Sequence, residues 1–222
     1  MDTPTFPTTS GSLALPGPAG ALEVAVDHPD DDVAALPLVA IICHPLTTEG
    51  GTMHNKVVTM TARALRELGA TTVRFNFRGA GDSEGEFDEG DGEVDDLLAV
   101  AAWVRAQCPG RRLWLAGFSF GAYVSLVGAS EIEPGMLISI APPAGRWDFS
   151  RVRTPTFPWL VIQGEEDEIV DPQAVYDWLE RTDAQVELVR IPDSSHFFHR
   201  KLLDLRGAIK NGVRQYLPAA DA

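Results

Sequence analysis

From residue 38 onward, short runs that are apolar at every position alternate with longer segments whose apolar residues recur every three or four positions. That alternation leaves few folds open. Leu38-Val39-Ala40-Ile41-Ile42-Cys43 has no polar side, as a strand covered on both faces requires. A helix over 55–68 follows, with Val57, Val58, Leu65 and Leu68 on one face and Gly69 as its stop. Strands are then expected over 72–77, 113–118, 136–140, 159–163 and 186–191. Helices are expected over 93–108, 122–130 and 172–181, and 197–217 reads as largely helical. Ahead of this pattern, 12–15 and 22–26 read as two strands around the turn Pro16-Gly17-Pro18-Ala19-Gly20, which adds an antiparallel edge. The expected class is α/β: one domain over 1–222 with about eight mostly parallel strands, helices on both faces, and a partly irregular edge at 1–20. No repeat or low-complexity linker marks a boundary.

Composition narrows the function classes. The net charge of −14 repels a phosphate backbone, so nucleic acid is not an expected partner. Cys43 and Cys108 both lie in apolar settings, which fits free thiols in a reducing compartment better than a disulfide framework. The N-terminal residues lack a basic region and an apolar core, and no uncharged stretch approaches a membrane span, so the expected location is the cytoplasm with no membrane partner. His28 and His54 stand at no metal-binding spacing, and neither a metal nor a cofactor is expected.

The chemistry concentrates at Gly117-Phe118-Ser119-Phe120-Gly121, a G-x-S-x-G pattern set between a strand and a helix. Such a turn aims the serine hydroxyl outward. The helix that follows brings free amides and its positive end to a developing oxyanion, with the Phe120 N–H as one donor. A serine hydroxyl needs an imidazole base, and the imidazole needs a carboxylate to orient it. His196, directly after the last strand, falls at the carboxyl edge of the sheet; His199 falls one turn into the following helix. The acid lies within Gly164-Glu165-Glu166-Asp167-Glu168, after the strand over 159–163. Asp171 is accounted for separately, as an N-cap ahead of Pro172.

These motifs, with His44-Pro45-Leu46, Phe75-Asn76-Phe77-Arg78-Gly79-Ala80-Gly81-Asp82-Ser83, Gly164-Glu165-Glu166-Asp167-Glu168-Ile169-Val170 and Ser195-His196-Phe197-Phe198, appear in one order over residues 36–206. The chain thereby resembles the α/β-hydrolase superfamily, and within it the small lidless bacterial serine esterases related to the dienelactone hydrolases. The resemblance, together with loop reach, implies that Asp167 is the acid and His196 the base. It implies that the Leu46 N–H is the second oxyanion donor and that His44 supports the oxyanion loop through hydrogen bonds. It departs at the nucleophile, which is cysteine in dienelactone hydrolases and Ser119 here. The connection over 141–158 has no room for a cap domain.

The expected activity is hydrolysis of a small acyl ester through an acyl-enzyme on Ser119, with a small-molecule acyl substrate and a monomer or small homo-oligomer. The alternatives are a thioesterase or acyltransferase using the same residues, and a non-catalytic ligand-binding scaffold. Phe118, Phe120, Trp147, Phe157 and Phe197 are candidate pocket walls or core residues. The loop over 47–55 is either a pocket wall or a plain lead into a helix. Residues 78–83 lack the Lys-Ser/Thr of a P-loop and read as structural, with turns at Gly79 and Gly81.

Overall fold

Each central strand feeds both faces of a single sheet. The computed structural model describes residues 3–220. The strands are β1 (Gly11–Gly17), β2 (Gly20–Asp27), β3 (Leu38–Cys43), β4 (Thr71–Phe75), β5 (Arg112–Phe118), β6 (Met136–Ile140), β7 (Trp159–Gly164) and β8 (Val186–Ile191). They lie in the order β1-β2-β4-β3-β5-β6-β7-β8. β3 to β8 are mutually parallel, and the β1–β2 hairpin joins β4 antiparallel. Helices α1 (Lys56–Arg66), α2 (Asp91–Gln107), α3 (Phe120–Ile132), α4 (Pro172–Arg181) and α5 (Leu202–Val213) cover the two faces.

Alternation sorts the core. Val39, Ile41, Leu113, Leu115 and Val161 pack with residues of α2, α3 and α4. Their neighbours Leu38, Ala40, Ile42, Trp114, Ala116 and Leu160 pack with α1 and α5 on the opposite face. This accounts for strands with no polar side: each position belongs to one apolar layer or the other.

Element boundaries moved where backbone chemistry overrides pattern. Pro16 and Gly17 belong to β1, which is an edge strand and tolerates the missing donor. β4 stops at Phe75, because the Phe77 N–H leaves the ladder to donate to His44 Nε2 (3.0 Å). α2 begins at Asp91, two residues ahead of the expected start. The Glu93 carboxylate accepts from the Gly90 and Asp88 N–H groups at 2.8 and 2.9 Å, closing the first turn. Residues 197–201 are turn rather than helix, and α5 starts at Leu202, because Phe198 and Arg200 hold positive φ of 51° and 60°. His199 therefore lies in a turn before α5. Asp171 caps α4 as expected, accepting from the Gln173 N–H ahead of which Pro172 takes the first helical position.

The β6–β7 connection holds only a bridge between Ala144 and Trp147 and a short 3-10 turn over Phe149–Arg151, so no cap covers the sheet edge. Among the described residues no helix is long and apolar enough to cross a membrane. The loop after β4 is structural. Gly79 and Gly81 take φ of 73° and 53°, and Arg78 forks onto the fully buried Asp96 (Nη2–Oδ1 2.8 Å) while its own N–H donates to the same carboxylate (2.9 Å).

Replacing one partner of that pair strands a charge in the core. Arg78→Met is expected to lower stability by about 3–5 kcal/mol, and Arg78→Met with Asp96→Leu to recover much of the loss. Urea midpoints of the three proteins test this; equal midpoints for wild type and Arg78→Met rule it out.

Candidate active site

β5 ends in Phe118, and the next residue is forced out of the strand. Ser119 sits at φ 53° and ψ −120°, in a region that costs an L residue about 1–3 kcal/mol. Two glycines make the turn possible. A Cβ on Gly117 would stand 2.2 Å from the Gly121 carbonyl oxygen, and a Cβ on Gly121 would stand 2.4 Å from the Cys43 carbonyl oxygen. Both close approaches are to backbone, which cannot step aside. The Ser119 N–H donates to the Ile140 carbonyl (2.9 Å), tying the turn to β6. Although Ser119 is the N-cap of α3, its side chain makes no capping bond. The hydroxyl is left for another partner.

That partner is His196, whose Nε2 lies 3.0 Å from Ser119 Oγ. Its Nδ1 lies 2.8 Å from Asp167 Oδ2. Burial opposes ionisation of Asp167, but hydrogen bonds from His196 and from the Val170 and Ile169 N–H groups outweigh it and hold the carboxyl below the usual carboxylate range. An ionised carboxylate only accepts, so Nδ1 carries the proton and Nε2 presents its lone pair to the serine O–H. Asp167 Oδ1 accepts from the Ile169 (2.9 Å) and Val170 (2.7 Å) N–H groups. The His196 ring lies between Phe118 and Phe197, with centroids at 5.0 Å on each side.

His44, at the end of β3, is wholly buried. Its Nε2 accepts from the Phe77 N–H, so the proton must be on Nδ1, which donates to the Pro45 carbonyl (2.6 Å). Burial lowers its pKa to about 4, against a partial rise from the Pro45 bond, and the ring is neutral at pH 7. His44 thus pins the segment after β4 to the start of the loop after β3. That loop is folded back on itself, with the Gly51 N–H on the Leu46 carbonyl (2.9 Å) and the Met53 N–H on Asn76 Oδ1 (2.8 Å). It serves both as a pocket wall and as a lead into a helix: Leu46, Glu49 and Gly51 line a pocket, and Asn55 caps α1 through the Val57 N–H (2.8 Å).

The pocket encloses about 440 Å³, within the range of small-ligand sites, and opens on Ser119, His196, Leu46 and Phe120. Phe120 is the first residue of α3, where the N–H has no acceptor within the helix. The Leu46 N–H donates to no acceptor among the described residues. Phe120, Trp147 and Phe197 line the pocket; Phe118 lies in the core beneath His196, and Phe157 packs against the other layer. His199 is exposed and takes no part.

Three contributors were not anticipated. Gln163, buried in β7, donates to Asp167 Oδ2 (3.0 Å), and a lone polar residue ending the run Trp159-Leu160-Val161-Ile162 was its signal. Glu168 accepts from the His196 N–H (3.1 Å) and sets the start of the histidine turn. Arg146 donates to the Ile169 carbonyl (2.8 Å), closing one side of the pocket. Neither of these last two had a sequence signal.

A serine, a histidine and an aspartate linked at the carboxyl edge of an uncapped, mostly parallel sheet define an α/β serine hydrolase. Residues 22–156, more than half of the chain, match the X-Pro dipeptidyl-peptidase (S15 family), and the chain belongs to that family. The matched segment includes Ser119 and ends before Asp167 and His196. The protein is similar to XC6422 from Xanthomonas campestris, an α/β serine hydrolase without lid, at 69% identity over 99% of this chain and 100% of that one, with a TM-score of 0.96. It is also similar to an α/β serine hydrolase homologue from Coxiella burnetii, at 42% identity over 94% and 100% of the two chains and a TM-score of 0.90. A dienelactone hydrolase from Anabaena variabilis shares the fold, at 19% identity over 95% and 99% of the chains and a TM-score of 0.78.

The His44 arrangement predicts a pH dependence. The unfolded imidazole takes its proton near pH 6.5, whereas the folded one resists to about 4. Between these values the unfolded chain binds more protons, so stability present above pH 6.5 is lost as pH falls toward 4. The size is about 3 kcal/mol. Asp167 acts in a separate window, below its unfolded value of 3.8, because its pKa is lowered. Denaturant unfolding at pH 7, 5.5 and 4 is expected to show a steeper loss in wild type than in His44→Asn. Parallel slopes would discount the buried neutral histidine.

Proposed function

We propose that the protein is a carboxylic ester hydrolase acting through an acyl-enzyme on Ser119. The observation that carries this reading is the hydrogen-bonded chain Ser119–His196–Asp167 at 3.0 and 2.8 Å, opening into a pocket beside two uncommitted amides. The substrate carbonyl oxygen lies toward the Leu46 and Phe120 N–H groups, which complement the charge that develops in the transition state. His196 Nε2 takes the proton from Ser119 Oγ as the oxygen attacks the carbonyl carbon. The imidazolium is stabilised by Asp167, which stays ionised. Collapse of the tetrahedral intermediate expels the alcohol, which receives the proton from His196. Water, deprotonated by the same nitrogen, then attacks the acyl-enzyme and releases the acid and Ser119.

An uncapped pocket of about 440 Å³ favours small or partly exposed acyl groups. The family match supports a second reading, cleavage of a peptide bond after an X-Pro pair, by the same residues. The two free buried cysteines favour a reducing compartment, the cytoplasm.

The test is turnover of a p-nitrophenyl ester series from acetate upward, beside an Ala-Pro-p-nitroanilide. Short esters are expected to be hydrolysed and the anilide not, and Ser119→Ala to lose about 10³-fold or more in kcat. Anilide cleavage with inert esters selects the peptidase reading. Equal activity in wild type and Ser119→Ala overturns the assignment of the nucleophile.

A further inference from the structure

A second hollow, of about 620 Å³, adjoins the first. Asn55 and Phe197 line both, so the two share a wall. The second is bounded on one side by His54 and Lys56 at the start of α1, and on the other by His199 and Arg200 in the turn after His196. No acidic residue lines it. The chain has 32 Asp and Glu against 18 Lys and Arg, and several of its cations are drawn into pairs, among them Arg74–Asp27, Arg78–Asp96 and Lys210–Glu67. Among the described residues, the side chains of Lys56, Arg200, His54 and His199 make neither an ion pair nor a hydrogen bond. Asp204, in the adjoining first turn of α5, is directed at Lys201 (3.9 Å).

The backbone sets where the residues of the turn stand. Phe198 is fully buried against Phe118, and its N–H donates to the Ser195 carbonyl (3.0 Å). With Phe198 pinned inward at φ 51° and Arg200 at φ 60°, the residues on either side of Phe198 are presented outward. Left-handed backbone at two non-glycine positions within three residues is uncommon and marks a turn fixed by its surroundings. Across the hollow, α1 begins at Lys56, so the positive end of an eleven-residue helix adds to the field of the side chains.

We infer that this hollow is an anion subsite of the same active site. The esters cleaved then carry a carboxylate or phosphate on an arm that crosses Asn55 and Phe197. Lys56, Arg200 and the two imidazoles, which line the hollow with no acidic residue among them, hold that anion, while the scissile carbonyl lies at Ser119. The inference rests on the ester hydrolase reading for its reacting end, and on the hollow alone for its anionic end.

Matched ester pairs separate charge from size. On the acyl side these are p-nitrophenyl pentanoate and mono-p-nitrophenyl glutarate. On the alcohol side they are phenyl acetate with 4-acetoxybenzoate and with 4-acetoxyphenyl phosphate. At least one anionic member is expected to exceed its neutral partner in kcat/KM by about tenfold or more, with most of the preference lost at high salt. The responding member tells carboxylate from phosphate. Lys56→Gln with Arg200→Asn, asparagine being chosen because it tolerates positive φ, is expected to remove the preference through KM. Neutral ester turnover should change less than twofold. No preference in any pair, or equal loss on neutral and anionic esters, overturns the subsite. If wild type cleaves no ester at all, phenyl phosphate and glutarate are titrated into Ser119→Ala with and without the two charge substitutions. Binding lost with the charges leaves the subsite standing while the hydrolase reading falls; no binding overturns the subsite.

Discussion

The structure depends on one unfavourable backbone conformation. Ser119 occupies positive φ, and nothing intrinsic to serine favours it. The conformation persists because β5 and α3 are already fixed by the two apolar layers, and because Gly117 and Gly121 let three backbone segments meet at contact distance. The carbonyls that Gly121 touches belong to Cys43 and His44, so the same approach brings the end of β3 beside the serine. The loop starting at Leu46 inherits its position from that contact and from the neutral ring of His44. The serine and the loop amide facing it are thus set by one packing event.

Asp167 is held differently, by accumulating donors. Asp167 receives hydrogen bonds from His196, Gln163, Ile169 and Val170, all on two carboxylate oxygens. Gln163 and His196 share Oδ2, so the aspartate is fixed in rotation as well as in charge. The arrangement separates Asp167 from its acidic neighbours Glu165 and Glu166, for which proximity in sequence brings no such set of donors. Glu168 faces the other way, onto the backbone of His196, and shapes the turn that brings the imidazole to the serine.

What could be read from the sequence follows from this division. The parallel sheet was legible because strands buried on both faces are apolar throughout, and the serine turn because its glycines are irreplaceable. Ser119 and His196 follow from the turn and the chain order, whereas the choice of Asp167 among four carboxylates needed the family resemblance. The start of α5 was misplaced because residues 197–201 contain helix-compatible side chains. The positive φ of Phe198 and Arg200, beside the buried ring of Phe198, has no signature in composition. Likewise Glu93 and Asp96 are buried on a helix face that the apolar spacing of α2 only partly defines, and their roles appear only once Gly90 and Arg78 are seen beside them.

Net charge is the feature of the sequence that says least about the site. At physiological ionic strength, charges farther than about 8 Å apart are largely screened. The −14 of the whole chain therefore governs solubility and distant encounters, not the field at Ser119. Asp96 is paired in the core with Arg78, and Glu67 is surrounded by Arg63, Arg206 and Lys210. Near the mouth the exposed groups include Glu49 and Arg146 on the first pocket and the unpaired cations on the second. An acidic protein can in this way present a locally basic surface to a small anion. Asp167 meanwhile stays shielded, because its carboxylate is buried and occupied by donors. The cations at the second hollow and the donors around Asp167 are separate groups, which can vary independently on the same fold.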